Sequence, residues 1–195
     1  MSHYHKMNKD RAILIHDVAS LSFLVPFSIL CLADVFFGYV VYPMFITHAL
    51  TAHITYDLVW ILVQPRVIPS MRSFIILHHV MTFIYLLRPL LVPQEAHLTS
   101  LAGLVEIDTS ILMIRRFVPR NSPFYEHVDK LYCVSNLFIR VYYETFLTLL
   151  VYFLYSQTDL FTKMHMLGCQ CFINVFSCGI CALTFSKRNP ALKVD

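Results

Sequence analysis

Charge is what this chain has least of. Only 14% of its 195 residues are Asp, Glu, Lys or Arg, and 57% are hydrophobic, against roughly 25% and 45–50% in soluble domains. That balance points to lipid rather than water. The net charge of +3 is too small to mark a nucleic-acid partner, and none is expected. Glycine is also scarce, with four in the chain. Unwound half-helices of the kind transporters use have little support from so few, and no inverted repeat relates the two halves. No Ser/Gly/Pro-rich linker or internal repeat divides the sequence, so one membrane domain is expected. There is no Asn-x-Ser/Thr sequon. The first apolar run is long and lacks a small-residue cleavage site, so no cleavable signal peptide is expected. Ala191 and Leu192 ahead of Lys193 deny the chain a dilysine retrieval pattern.

What the chain does have is apolar runs. Six lie between polar breaks: Ala12–Ala33, Val41–Val63, Ser73–Leu87, Leu98–Ile114, Leu131–Tyr155 and Met164–Phe185. Most approach the roughly 20 residues that a helix needs to cross a 30 Å core. They lack alternation and are too long for barrel strands, so helices are expected. Turn residues mark the breaks: Gly38 and Pro43, Pro65 and Pro69, Pro119 and Pro123. The third and fourth runs are short, and Pro89 and Pro93 between them suggest a bent or thinned lumenal end. An even number of spans puts both tails and the second and fourth loops on one side. Twelve of the fifteen basic residues fall there, two (Arg88 and Lys163) fall opposite, and Arg140 lies inside the fifth run. By the positive-inside rule both termini are expected in the cytosol. The expected fold is an all-α bundle of six transmembrane helices: tail 1–11, membrane domain 12–186, tail 187–195. All six cysteines lie in or beside these runs. Cys178-x-x-Cys181 has a redox spacing but no thioredoxin-like surroundings. Gly168, Cys171, Val175, Cys178 and Ala182 form a small-residue stripe, expected to pack against another helix.

Ionisable groups inside the runs are the chemical signal, because each is costly in lipid. The first run carries His16 and Asp17, the second His48, His53 and Asp57, the third His78 and His79. The fourth carries Glu106 and Asp108, the fifth Arg140 and Glu144, and the sixth His165. At about 1.5 Å per residue, Asp57, His78 and His79 lie roughly 9 Å deep, Arg140 and His53 about 14–15 Å, and Glu106 about 18 Å from the opposite face. Four helices thus contribute to one band. His53 and Asp57 are i,i+4 neighbours, as are Arg140 and Glu144; both pairs read equally as bundle-stabilising contacts. His78 and His79 diverge by about 100° around a helix, so one partner cannot easily satisfy both. A buried neutral imidazole suits a general base, with Asp57 and Glu106 as candidate orienting carboxylates. Di-iron chemistry is disfavoured, because Ile75 and Ile76 stand where an HxxHH cluster needs its first histidine. A mononuclear metal site using His53, Asp57 and one of the pair is a lesser alternative.

The order TYDLVW (Thr55 to Trp60), ILHHVMTF (Ile76 to Phe83), LVEIDTSILMIRRF (Leu104 to Phe117) and LFIRVYYE (Leu137 to Glu144) resembles the TLC-domain family, which includes the ceramide synthases. The resemblance covers nearly the whole chain and implies six membrane helices, residence in the endoplasmic reticulum and work on lipids. His78 and His79, followed by Thr82, match the start of the ceramide synthase motif, where the histidine pair is needed for acyl transfer. The match then thins. Pro89-Leu90 replaces Ser-Tyr, Ala96 replaces an arginine, Val105 and Glu106 replace a histidine–aspartate pair, and Thr109 replaces a further aspartate. The chain therefore resembles a member outside the ceramide synthase branch.

The leading expectation is a lipid-handling membrane protein whose polar interior supports acyl transfer from acyl-CoA to a lipid amine or hydroxyl. His78 and His79 would be base and partner, Glu106 and Asp57 orienters, and Arg140 an anchor for developing negative charge. His53, Thr82, Tyr85, Asp108, Arg140 and Glu144 would contact substrate, and Arg115 and Arg116 would receive CoA phosphates. No bound cofactor or metal is expected; membrane lipids are the expected partners, and a homo-oligomer is compatible with the sequence. The alternatives are a non-enzymatic lipid- or cargo-binding protein and, less favoured, a transporter.

Overall fold

A computed structural model describes residues 2–38, 42–65, 67 and 71–186, with side chains from Arg11 onward. The tail expected at 187–195, together with Arg66 and Pro69, lies outside the described residues. Every regular element among the described residues is helical: α1 (Ser2–Phe36), α2 (Pro43–Val63), α3 (Arg72–Leu91), a 3₁₀ turn (Pro93–Glu95), α4 (His97–Gly103), α5 (Glu106–Phe117), α6 (Pro123–Leu137), a π-helical segment (Phe138–Tyr143), α7 (Glu144–Leu154) and α8 (Leu160–Ser186). Much of the expected N-terminal tail is the start of α1. Six helical spans are long and apolar enough to cross a membrane: Arg11–Phe36, Pro43–Val63, Arg72–Leu91, Pro93–Phe117, Pro123–Leu154 and Leu160–Ser186. This is the architecture of a multi-pass integral membrane protein.

Local chemistry sets the helix ends. Pro43 and Pro123 open α2 and α6, where a missing N–H costs nothing. The Ser122 hydroxyl accepts from the amide of Phe124 (3.3 Å), and Asp159 accepts from the amide of Thr162 (3.0 Å) to cap α8. Gly38, at φ 74°, turns the chain after α1. Hydroxyls within the apolar helices mostly return to the carbonyl four residues back, as Thr47 does to Pro43, Thr82 to His78 and Thr148 to Glu144.

Five spans are longer than expected: the first runs on to Phe36, the fifth starts at Pro123 rather than Leu131, the sixth starts at Leu160, and the third and fourth grow around Pro89 and Pro93. The third continues through Pro89 to Leu91, because a proline in the last turn forfeits a single backbone bond. The fourth extends from Pro93 to Phe117 with a short break at 104–105 between α4 and α5. Arg88 grips Glu95 with two bonds of 2.9 and 2.8 Å, tying the end of α3 to the 3₁₀ turn.

The chain divides into two compact units, Met1–Leu104 and Val105–Asp195. In the first, α2 packs on α3 and α4, and α1 on α4 and α2, around Leu24, Phe27, Cys31, Ile46, Leu50 and Leu86. A Cβ added at Gly103 would stand 2.6 Å from Cys31 Sγ and 3.0 Å from Phe27, so the close approach of α4 to α1 requires glycine. The inner face of α1 carries five polar side chains (His16, Asp17, Ser20, Ser28, Asp34) beside Leu24, Phe27 and Cys31, while Leu14, Ile15, Val18 and Ile29 face outward. That inversion suits a helix surrounded by lipid.

In the second unit, α5 packs on α6, and α7 and the π segment pack on α8. Buried side chains recur at Tyr132, Asn136, Arg140 and Glu144, one every four residues, wider than the 3.6 of an α-helix. The π segment supplies the wider turn that keeps all four inward. The small-residue stripe of α8 does not pack as expected within this unit. Gly168, Cys171, Val175 and Ala182 are exposed, whereas Met166, Gln170, Ile173, Ser177 and Cys181 are buried. Gln170 has a hydrogen-bond partner inside, so its face turns inward.

Candidate functional site

The α2–α3 hairpin fixes the first centre. Arg72, at the start of α3, donates from Nη2 to the carbonyls of Ile61 (3.2 Å) and Leu62 (3.3 Å). A cation thereby caps the last turn of α2. With that register set, Asp57 and His79 come level in the antiparallel pair. The Asp57 carboxylate is shared between two imidazoles: Oδ2 lies 2.7 Å from His79 Nε2 and Oδ1 lies 2.5 Å from Nε2 of His16 on α1. His16 Nδ1 is 3.4 Å from Asp17. All four side chains are buried.

Hydrogen-bond geometry constrains the protons. His79 Nδ1 is 2.7 Å from the carbonyl of Ile75, which can only accept, so Nδ1 carries a hydrogen. The opposite nitrogen meets a carboxylate oxygen, and that contact needs a second proton. His79 and Asp57 therefore share a proton in addition to the one on Nδ1, deep in a helix bundle. A carboxylate held by two imidazoles has more than one way to place its protons, because each imidazole can carry one proton or two. His78, the less buried of the adjacent pair, sets its ring edge-on to His79 at 5.6 Å between centroids.

The remaining first-unit candidates take other roles. His53 stacks on Phe23, with ring centroids 4.3 Å apart, and the expected His53–Asp57 pair is replaced by His16–Asp57–His79. The Thr82 hydroxyl bonds the carbonyl of His78 at 2.9 Å, one turn from the pair, and Tyr85 is buried one turn further on. Among the described residues, no three His, Cys, Asp or Glu side chains are grouped to hold a metal ion.

The second unit holds a different centre. Asp108 on α5 accepts from Ser135 Oγ (2.8 Å), Asn136 Nδ2 (3.0 Å) and Arg140 Nε (2.9 Å). Arg140 Nη2 donates to the Thr109 hydroxyl at 2.7 Å. The expected Arg140–Glu144 pair gives way to Arg140–Asp108, because Gln170 Nε2 donates to Glu144 at 2.9 Å. Glu106, the first residue of α5, belongs to this unit. Arg115 bonds Asp129 (2.5 Å) and Tyr125 (3.1 Å) and lies over the ring of Tyr132. Arg116 beside it is exposed.

His16 and Asp17 stand out in the sequence without a role there, and Ser135, Asn136 and Gln170 are not among the expected site residues. The signal for His16 was legible, as an ionisable pair in the first apolar run. The fold and its two centres define a class: a multi-pass membrane protein with a histidine–carboxylate network buried in its first unit. No family model, curated protein or solved structure matches the chain.

Proposed function

We propose that the protein is a lipid-handling enzyme of the endoplasmic reticulum membrane, with both termini cytosolic, that transfers an acyl group from acyl-CoA to a lipid amine or hydroxyl. The observation that carries this reading is the Asp57 carboxylate bridging His79 and His16 at 2.7 and 2.5 Å beside the less buried His78. Asp57 orients His79 and His16, and His79 buttresses His78, which takes the proton from the acceptor as its oxygen or nitrogen attacks the thioester carbonyl. The carbon–sulfur bond then breaks, and the departing CoA thiolate takes up a proton. The TLC-like motif order supports the lipid substrate and the endoplasmic reticulum, and the uneven distribution of basic residues supports the orientation. Arg115 and Arg116 lie together at the end of α5, with Arg116 exposed, as receipt of the CoA phosphates would require.

One observation favours a second reading, a non-enzymatic lipid- or cargo-binding protein. Both ring nitrogens of His79 are already engaged, by Asp57 and by Ile75, as they would be in a purely structural network. Labelled acyl-CoA incubated with membranes and a mixture of amine- and hydroxyl-bearing lipids separates the two. Acyl transfer requires a labelled lipid made by the wild type and lost in a His78→Ala, His79→Ala variant at matched expression. Background labelling from both, unchanged by further acceptors, moves the assignment to binding.

A further inference from the structure

The end of the first unit where α1 finishes holds a second polar cluster with no part in the His16–Asp57–His79 network. Asp34, Thr47, Thr99 and Ser100 are each 0% exposed. The Thr47 and Thr99 hydroxyls are 2.9 Å apart, which brings the second turn of α2 level with the first turn of α4. Gly103 lies against Phe27 and Cys31. The first and fourth spans cross in opposite directions, so one turn back along α4 and one turn on along α1 bring Ser100 to the level of Asp34. Both carboxylate oxygens of Asp34 and the Ser100 hydroxyl lack a hydrogen-bond partner in the protein. Ser100 also forgoes the bond to the carbonyl four residues back that Thr47, Thr51, Thr55, Thr82 and Ser110 all make.

We infer that Asp34 and Ser100 form a binding site for a small monovalent cation at this end of the first unit. A buried carboxylate without a partner costs several kcal/mol, and the cost falls when a cation meets it. The other members of the cluster, Ser100, Thr47 and Thr99, are uncharged, so one positive charge balances the Asp34 carboxylate and two would leave the site overcharged. Carboxylate and hydroxyl oxygens are hard ligands and suit a hard ion. Complete burial closes the site to a lipid headgroup or a peptide and leaves it to a single ion. The site uses none of the residues assigned to acyl transfer, and the two readings stand or fall separately.

The test is thermal unfolding of the full chain in detergent. Sodium chloride, potassium chloride and N-methylglucamine chloride are titrated in turn at constant ionic strength and constant chloride. The site predicts saturable stabilisation by sodium or potassium over N-methylglucamine, abolished in Asp34→Asn. In Ser100→Ala the half-saturating concentration rises roughly three- to tenfold, the loss of one neutral ligand. Equal stability in all three salts overturns the site, as does an Asp34→Asn protein that keeps the response. Should Asp34→Asn fail to fold, an unchanged half-saturation in Ser100→Ala overturns it equally.

Discussion

Asp57 in the first unit and Asp108 in the second are both buried, and the two keep different company. Asp57 is held by the imidazoles of His16 and His79. Asp108 is held by the guanidinium of Arg140, the amide of Asn136 and the hydroxyl of Ser135. A guanidinium does not give up its proton in a protein, and the amide and hydroxyl are equally fixed donors. The Asp108 cluster is therefore a permanent tie between α5, α6 and the π segment. An imidazole can hold one proton or two, so the partners of Asp57, unlike those of Asp108, are chemically able to give up a proton and stay in place. Burial alone does not mark a reactive carboxylate in a membrane protein. The ability of its partners to titrate separates chemistry from architecture.

The sharpest way to break this comparison is to remove the fixed tie. Asp108→Ala leaves the Arg140 cation buried and unpaired, which costs about 3–5 kcal/mol, and the folded yield in detergent should collapse. A variant that folds normally would deny Asp108 its structural role. Next in size is Gly103→Val, which forces a side chain into Cys31 and Phe27. Overpacking of this kind costs about 1–3 kcal/mol, read as a lower unfolding temperature with the His–Asp network intact. Asp57→Asn should cost less stability, about 1–2 kcal/mol, because an amide can still bond both imidazoles. It should nevertheless lower acyl transfer about 10²–10⁴-fold.

The smallest effect is at Asp159. The hydrogen bond from Thr162 at the start of α8 holds its carboxylate below the usual range. A lowered folded pKa stabilises the protein above the ordinary carboxylate range, and that contribution is lost as the pH falls through the folded value. Unfolding temperatures measured from neutral to acid pH should converge for wild type and Asp159→Asn at the acid end, with wild type slightly higher at neutral pH.

Helix number and character were legible because lipid imposes long apolar runs, and the expected spans match the observed ones to within a few residues at many ends. The ends near Pro89 and Pro93 were misplaced because a proline in the last turn of a helix reads like a break, and the start of the fifth span was placed at Leu131 rather than Pro123 because the polar first turns of α6 (Glu126, His127, Asp129, Lys130) read like a loop. The partners of the buried charges were only half legible. Asp57 takes one imidazole from the helix before it and one from the helix after it, His16 on α1 and His79 on α3, and no local spacing reports the register of either pair. The Arg140–Glu144 spacing suggested a pair along one helix. The π segment preserves both inward positions, and their partners come instead from α5 and α8. The small-residue stripe of α8 was visible as a pattern, but the need to satisfy Gln170 turned the other face inward.

The most direct test of the division between the centres is acyl transfer per folded molecule in Asp57→Asn and Asp108→Asn, normalised to monodisperse protein in detergent. The account predicts that Asp57→Asn is folded and nearly inactive, while activity in Asp108→Asn falls only as far as its folded fraction. Full activity per molecule in Asp57→Asn, or a well-folded Asp108→Asn that has lost transfer, would contradict it.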